Sequence, residues 1–345
     1  MRCRMCRMVA PDHILSLLSG GIWPEFSDLL VRAHRDDATA LEELPIDKAR
    51  NVMAEALVRW AGAGPPLERR ESSVLSVDGA DLPIVVYHPL LREEWAEDRR
   101  PVVVFFHGGG FVLGSVLTHD AVAARIAVAS GATVVSVDYP LAPSSRSANT
   151  IRVCAAAVDV LRTKLAEEEW WSQSLGVAGD SAGATIASLV CAERFLDGRS
   201  LPDAQLLFYP ATAPTCETES WERLSDGFFL TRRTMRWFWA EFLGPQGVTS
   251  ERELLRICSA NPGFAPKTTI VVGTKDPLFD ENLLLADCLR QNGASVDLRV
   301  AVGAIHGFAG MSAISPRSGV ILDEAARAFG RILRVHEIRR CPADA

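Results

Sequence analysis

A chain of 345 residues, 48% hydrophobic and 23% charged, can bury a large core, and α/β folds of this length run as one core carrying insertions. Its net charge of −7 gives no electrostatic pull toward nucleic acid or anionic membrane, and no stretch approaches the roughly 18 uncharged apolar residues of a membrane span. The eight cysteines (Cys3, Cys6, Cys154, Cys191, Cys216, Cys258, Cys288 and Cys341) are scattered singly, unlike a disulfide framework, and read as free, buried thiols.

The start, Met1 to Met8, carries Arg2, Arg4 and Arg7 but does not continue as a signal peptide. Pro11, Asp12 and His13 break the following segment, and the apolar run Ile14–Leu18 is too short, so the expectation is a cytoplasmic protein. Cys3 and Cys6 form a C-x-x-C with no second pair or histidine cluster beside it, and read as part of a disordered basic start. Residues 12–62 have helical spacing, broken by Pro45 and closed by Pro65-Pro66. Ser73–Val77 and Leu82–Tyr87 read as an antiparallel hairpin at a sheet edge, where Pro83 is tolerated, and Arg92–Arg100 as a charged loop.

From Val102 the pattern alternates strand and helix. Strands are expected at 102–106, 133–137, 175–179, 205–209, 269–272 and 296–300, with helices at 119–130, 152–164, 184–192, 281–291 and 317–334. Such alternation implies an α/β class fold with a mostly parallel sheet covered by helices on both faces, and ligands bind beyond the carboxyl ends of its strands. One insertion breaks the rhythm. After Tyr209 come Trp221, Phe228, Phe229, Trp237, Phe238, Trp239 and Phe242 in a helical hairpin, a composition that suits helix packing and also an apolar lid.

The chemistry-bearing residues sit at strand ends. Gly179-Asp180-Ser181-Ala182-Gly183 joins an apolar run to a helix of small residues, so Ser181 stands on a sharp turn with the Ala182 N–H at a helix N-terminus that favours an anion. His107-Gly108-Gly109-Gly110 follows the strand 102–106, and its glycines allow backbone N–H groups to approach a tetrahedral oxyanion; His107 itself orients that loop. A serine needs a base, and the base needs an orienting carboxylate. Asp276 follows the strand 269–272 and His306 follows the strand 296–300 through a glycine-flanked loop, giving the order Ser, Asp, His. Asp280 is the runner-up acid, on the helix that follows. Of the other histidines, His13, His34 and His336 fall in helical or terminal segments, His88 at the hairpin, and His119 near the pocket mouth.

Taken together, these motifs resemble the hormone-sensitive-lipase family of α/β-hydrolase esterases, the branch with a Gly-Asp-Ser-Ala-Gly elbow. The resemblance runs from about residue 73 to 334, through His107–Phe111 with Gly114 and Thr118-His119-Asp120, Asp138-Tyr139 with Leu141-Ala142-Pro143, Gly179–Gly183, Asp276-Pro277-Leu278 with Asp280-Glu281, and His306-Gly307-Phe308. It implies an α/β-hydrolase fold with a helical cap, and a serine carboxylesterase for short- to medium-chain acyl esters that uses no cofactor or metal. The oxyanion hole would comprise Gly108, Gly109, Gly110 and Ala182, with Gly108 shaping the turn and the other three donating. The cap would be residues 1–65 and 212–245, and the core 66–211 and 246–345. A small apolar ester is the partner implied; a homodimer stays open. A specialised deacetylase, a lactone or amide hydrolase or an acyltransferase would use the same chemistry, and gibberellin receptors keep the pocket without the histidine. Two departures from the family pattern, Pro140 and Ser144, remove a supporting salt link, and Ala184 and Cys258–Pro262 also differ from it.

Overall fold

The computed structural model describes residues 21–35, 40–90, 99–244 and 263–340, with side chains except at 32–35 and 335–340. The helix expected at 14–18, the Cys3/Cys6 pair, Cys258–Pro262, His13, the charged loop up to residue 98 and the side chains of His34 and His336 lie outside these residues. The first described elements are a helix α1 (Pro24–Arg35), a 3₁₀ turn Leu41–Glu43 and α2 (Ile46–Ala61). Strands β1 (Arg69–Val77) and β2 (Ala80–His88) follow, joined by Asp78 and Gly79 at φ of 50° and 79°, the left-handed pair that a tight hairpin requires.

Next come β3 (Arg100–Phe106), α3 (Asp120–Ser130), β4 (Thr133–Val137), α4 (Ser147–Leu165), β5 (Trp171–Asp180), α5 (Ala182–Leu196) and β6 (Ala204–Phe208). The insertion holds α6 (Glu219–Leu224) and α7 (Arg232–Leu243), after which β7 (Lys267–Lys275), α8 (Phe279–Gln291), β8 (Val296–Ile305) and α9 (Pro316–Arg340) complete the order. Among the described residues the strands form an eight-stranded sheet in the order β1-β2-β4-β3-β5-β6-β7-β8, antiparallel at β1/β2 and β2/β4 and parallel elsewhere.

Both faces of the sheet are covered, as its apolar runs require. On β3, Val102, Val104 and Phe106 join the core shared with α4 and α5, whereas Val103 and Phe105 join the one shared with α3 and α9. No described helix is long and apolar enough to cross a membrane.

Three expectations need correction. The strand carrying Pro83 is internal, with β1 alone at that edge. Pro83 is tolerated because its carbonyl, and hence its nitrogen, faces the β4 side beyond Val137, where it accepts from the Asp138 N–H and no ladder donor is needed. Strand β8 runs to Ile305 rather than ending near 300, because an irregularity at Gly303 (φ 85°) absorbs extra residues before Lys275 pairs with Ile305. And of the described free cysteines, Cys154, Cys191 and Cys216 are buried but Cys288 is only half-buried.

Candidate active site

Six mutually parallel strands bring their last residues to one edge, and the next residue of each is polar or aromatic: His107 after β3, Asp138 after β4, Ser181 after β5, Tyr209 after β6, Asp276 after β7 and His306 after β8. At the serine the chain turns from strand to helix in one residue, with φ 51° and ψ −121°. A positive φ on a side-chain-bearing residue costs of order 1–3 kcal/mol. The turn is imposed by its surroundings: the Ser181 N–H donates to Phe208 O (2.8 Å), and a Cβ on Gly183 would run into the carbonyl of Phe106.

Ser181 Oγ lies 2.9 Å from His306 Nε2, and His306 Nδ1 lies 2.8 Å from Asp276 Oδ2. Asp276 is fully buried and its other oxygen accepts the Leu278 N–H at 2.8 Å, so the carboxylate is fixed from both sides. This assigns the tautomer: Nδ1–H donates to Asp276, leaving Nε2 to accept the serine proton. The ring of Tyr209 stands edge-on to the imidazole at 4.9 Å, and its hydroxyl accepts the Ala309 N–H, bracing the turn after His306.

The glycine loop is equally constrained. The Gly108 N–H donates to Asp180 Oδ1 at 2.9 Å, which fits a turn-shaping place for Gly108. Gly109 (φ 122°) accepts from Val112 and Leu113, while Gly110 (φ 62°) has no room for a Cβ beneath the Phe238 ring. Gly109 and Gly110 line the same cavity as Ser181 and His306. His107 is fully buried, stacked on Tyr139, with Nδ1–H donating to Gly108 O at 2.8 Å; burial pushes its pKa down to about 3. A ring so placed holds the loop and exchanges no proton with substrate.

The remaining sequence candidates lie apart from the serine. Asp280 is on the first turn of α8 and accepts the Ser220 N–H, holding the insertion rather than His306. Asp138 accepts the Val116 N–H, and His88 sits at the far end of β2 beside Trp170.

The cavity over Ser181 measures about 140 Å³. Its roof comes from two places in the chain: Met53 and Leu57 on α2, and Phe229, Met235 and Phe238 from the insertion. The two are pinned together where Glu42 accepts from Thr234 Oγ1 (3.0 Å) and pairs with Arg233 Nε (3.1 Å). A larger, open depression of about 480 Å³ at Arg99, Arg162 and Glu167–Glu169 lies by the amino ends of β3 and β5 and holds no nucleophile.

Three residues have roles that the sequence reading did not assign. Asp180 is the ligand of the glycine loop, although its place inside the elbow motif could have flagged it. Glu281 is fully buried and takes four neutral donors, Thr212 N–H and Oγ1–H, the Ala213 N–H and Trp221 Nε1–H; burial nonetheless outweighs them and lifts its carboxyl to about 7. Arg50 reaches from α2 to the carbonyls of Val112 and Ala142, tying that helix to the loops around the site, and nothing in the sequence set it apart from Asp47, Lys48, Glu55 and Arg59 on the same helix.

A family model described as the alpha/beta hydrolase fold matches residues 103–310. The chain belongs to the α/β-hydrolase family, in its hormone-sensitive-lipase-like branch. Among its relatives in that family, carboxylesterase NlhH of Mycobacterium tuberculosis is 34% identical over 78% of this chain and 84% of its own length. Ethyl acetate hydrolase of Pseudomonas putida is 28% identical over 86% of this chain and 92% of the relative. Gibberellin receptor GID1C of Arabidopsis thaliana also matches, at 32% over 60% of this chain and 62% of the receptor, so membership in the α/β-hydrolases does not by itself separate catalysis from binding. Among solved structures, an α/β-hydrolase enzyme from the metagenome of Lake Arreo superimposes with a TM-score of 0.83 at 29% identity, over 90% of this chain and 98% of that one.

Proposed function

We propose that this α/β-hydrolase is a serine carboxylesterase that cleaves short- to medium-chain acyl esters through an acyl-enzyme. The observation that carries the reading is the unbroken relay Ser181–His306–Asp276, with both hydrogen bonds under 3 Å, opening into an apolar cavity. His306 Nε2 takes the serine proton as Oγ attacks the ester carbonyl. The N–H groups of Gly109, Gly110 and Ala182 receive the developing oxyanion, and Asp276 stabilises the imidazolium that forms. His306 then protonates the departing alkoxide, and a water activated by the same nitrogen resolves the acyl-enzyme.

The relatives' names, a carboxylesterase and an ethyl acetate hydrolase, support this class. The presence of His306 in hydrogen-bond contact with Ser181 argues against a purely binding role. A volume of about 140 Å³ lies below the roughly 300–1,000 Å³ of pockets for drug-sized ligands and favours a short acyl group. An apolar roof offers no partner for a buried substrate charge, so the ester is uncharged. In this reading residues 1–65 and 212–245 act as the cap on a core of 66–211 and 246–345, in a cytoplasmic enzyme that needs no cofactor and does not bind nucleic acid; a homodimer is compatible with it. The test is a p-nitrophenyl ester series from acetate to palmitate at fixed pH. We expect kcat/KM to peak at the short end. A maximum at palmitate with interfacial activation would make the protein a lipase, and negligible turnover of every ester would remove the general esterase reading.

A further inference from the structure

Beside the glycine loop lies a buried pair of side chains that the relay does not use. His119, 4% exposed and the last residue before α3, borders the cavity with its Nε2 at 3.5 Å from Asp180 Oδ2. Asp180, 6% exposed, uses its other oxygen to hold the Gly108 N–H. One carboxylate thus connects an imidazole to the turn from which Gly109 and Gly110 project.

The groups around His119 can each accept a proton from its ring. Thr118 Oγ1 donates to Ser115 O at 2.9 Å, accepts the Ser115 N–H at 2.9 Å, and has a lone pair left for His119 Nδ1, which lies 2.9 Å away. On the other side of the ring, Nε2 faces a carboxylate oxygen, which only accepts. Both ring nitrogens thus face oxygens able to accept an N–H. Asp180 is the carboxylate that faces the ring: the neighbouring carboxylate of Asp120 is occupied by Arg70 and Tyr87, and His107, whose ring lies 5.4 Å away, is held neutral by burial. Burial alone would raise the Asp180 carboxyl, but the charge and hydrogen bond of His119 keep it below the ordinary carboxylate range.

We infer that His119, as an imidazolium clamped on Asp180, is a positioning residue that fixes the oxyanion-binding turn at Gly108–Gly110. The inference rests on the esterase reading above. It requires no contact between His119 and the reacting atoms: the ring neutralises Asp180, Asp180 fixes the Gly108 N–H, and the following two N–H groups are held at one distance from Ser181. A loop held this way matters most in the transition state, when charge reaches the carbonyl oxygen, and little in the ground state.

Four variants separate this from simple packing. His119→Phe fills the site without a donor, and His119→Gln returns an N–H toward Asp180 without the charge. Asp180→Ala removes the acceptor of the Gly108 N–H. Asp180→Asn keeps that acceptor and turns an amide N–H toward Nε2, which a singly protonated His119 can accept. With p-nitrophenyl acetate, His119→Phe should lower kcat about tenfold with KM nearly unchanged, less than the roughly 10²–10³ lost with an oxyanion donor itself. His119→Gln should recover part of that loss, and Asp180→Asn should exceed Asp180→Ala in kcat. Nitrogen-15 NMR of the histidine-labelled parent should give His119 two protonated ring nitrogens. Labelling of Ser181 by a small fluorophosphonate, followed by mass spectrometry, reports whether each variant is folded and nucleophilic. A parent that labels and turns over while His119→Phe and His119→Gln match it in kcat overturns this inference alone, as does a change confined to KM or a neutral His119 ring in the spectrum. A parent that neither labels at Ser181 nor hydrolyses the ester removes the esterase reading and this inference with it.

Discussion

Ser181, Asp276 and His306 each stand one residue past the end of a strand, whereas Met53, Phe229, Met235 and Phe238 reach the same cavity from helices and turns outside the sheet. The floor is held by backbone: paired strands fix where each chain ends, and glycines without room for a Cβ fix how it turns. The roof is held by side chains: the apolar face of α7, with Phe242 stacked on Phe111 at 3.9 Å, the Glu42–Arg233–Thr234 seam, and the contacts of Arg50. Side chains of this kind can be exchanged one at a time, while a sheet ladder is lost only with the fold. In the proposed esterase, chemistry belongs to the floor fixed by backbone, and selectivity to the roof fixed by side chains.

The strongest way to break that division is on the floor. Asp276→Asn keeps the shape of the site but presents an amide N–H to His306 Nδ1, favouring the tautomer that places a proton on Nε2. We expect kcat for p-nitrophenyl acetate to fall on the order of 10⁴-fold with an unchanged circular dichroism spectrum. A loss under tenfold would mean that the carboxylate does not orient the base.

The junction between floor and roof offers a pH test. Glu281, on α8, holds Thr212, Ala213 and Trp221 at the root of the insertion, and its carboxyl is lifted from 4.5 to about 7 by burial. A group raised on folding contributes stability that is fully present below its unfolded pKa and is lost as pH rises through its folded one. Relative to Glu281→Gln, the parent should therefore lose about 3 kcal/mol of unfolding free energy between pH 4.5 and 7. Urea denaturation of both proteins across that window checks it, and a constant difference would show that the four donors hold the carboxylate charged throughout.

The smallest effect is expected in the roof. Phe229 is half-buried, faces Gly307 and packs on Trp60 at 5.4 Å. Phe229→Ala should shift the hexanoate-to-acetate ratio of kcat/KM toward hexanoate by about tenfold, the scale on which apolar pockets discriminate methylenes. The labelling rate of Ser181 by a small fluorophosphonate should stay within about threefold, since a residue outside the reacting geometry leaves the barrier largely alone. If the labelling rate fell with the ratio unchanged, roof and floor would not be separable.

How far the sequence could be read follows the same line. The strands announced themselves because runs such as Val102–Phe106 are buried on both faces, and Ser181, Asp276 and His306 could be placed together because strand ends of a parallel sheet share an edge. What spacing does not encode is the direction of a side chain. Asp180 sits between two glycines of a motif whose period explains only the serine, so its grip on Gly108 emerged from the fold. Trp23 was equally silent: its Nε1 bonds Val302 O, and its ring stacks on Phe26 against Phe308, a contact spanning most of the chain. The strand that leads to His306 was read short because Gly303, which normally signals a loop, here permits a bulge and the strand resumes. Pro140 and Ser144 suggested a missing support, and the structure supplies others there: Pro140 O accepts from Thr150, and Arg50 holds Ala142 O.

If His306 activates Ser181 as the nucleophile, the reactivity of the serine toward a small fluorophosphonate ester depends on both residues. The parent, Ser181→Ala and His306→Ala are reacted with it and followed by intact mass and peptide maps. We expect one adduct per chain on the parent, located on Ser181, no adduct on Ser181→Ala, and labelling of His306→Ala slowed by several orders of magnitude. Stoichiometric labelling of Ser181→Ala at another residue, or equal labelling rates in the parent and His306→Ala, would contradict this assignment.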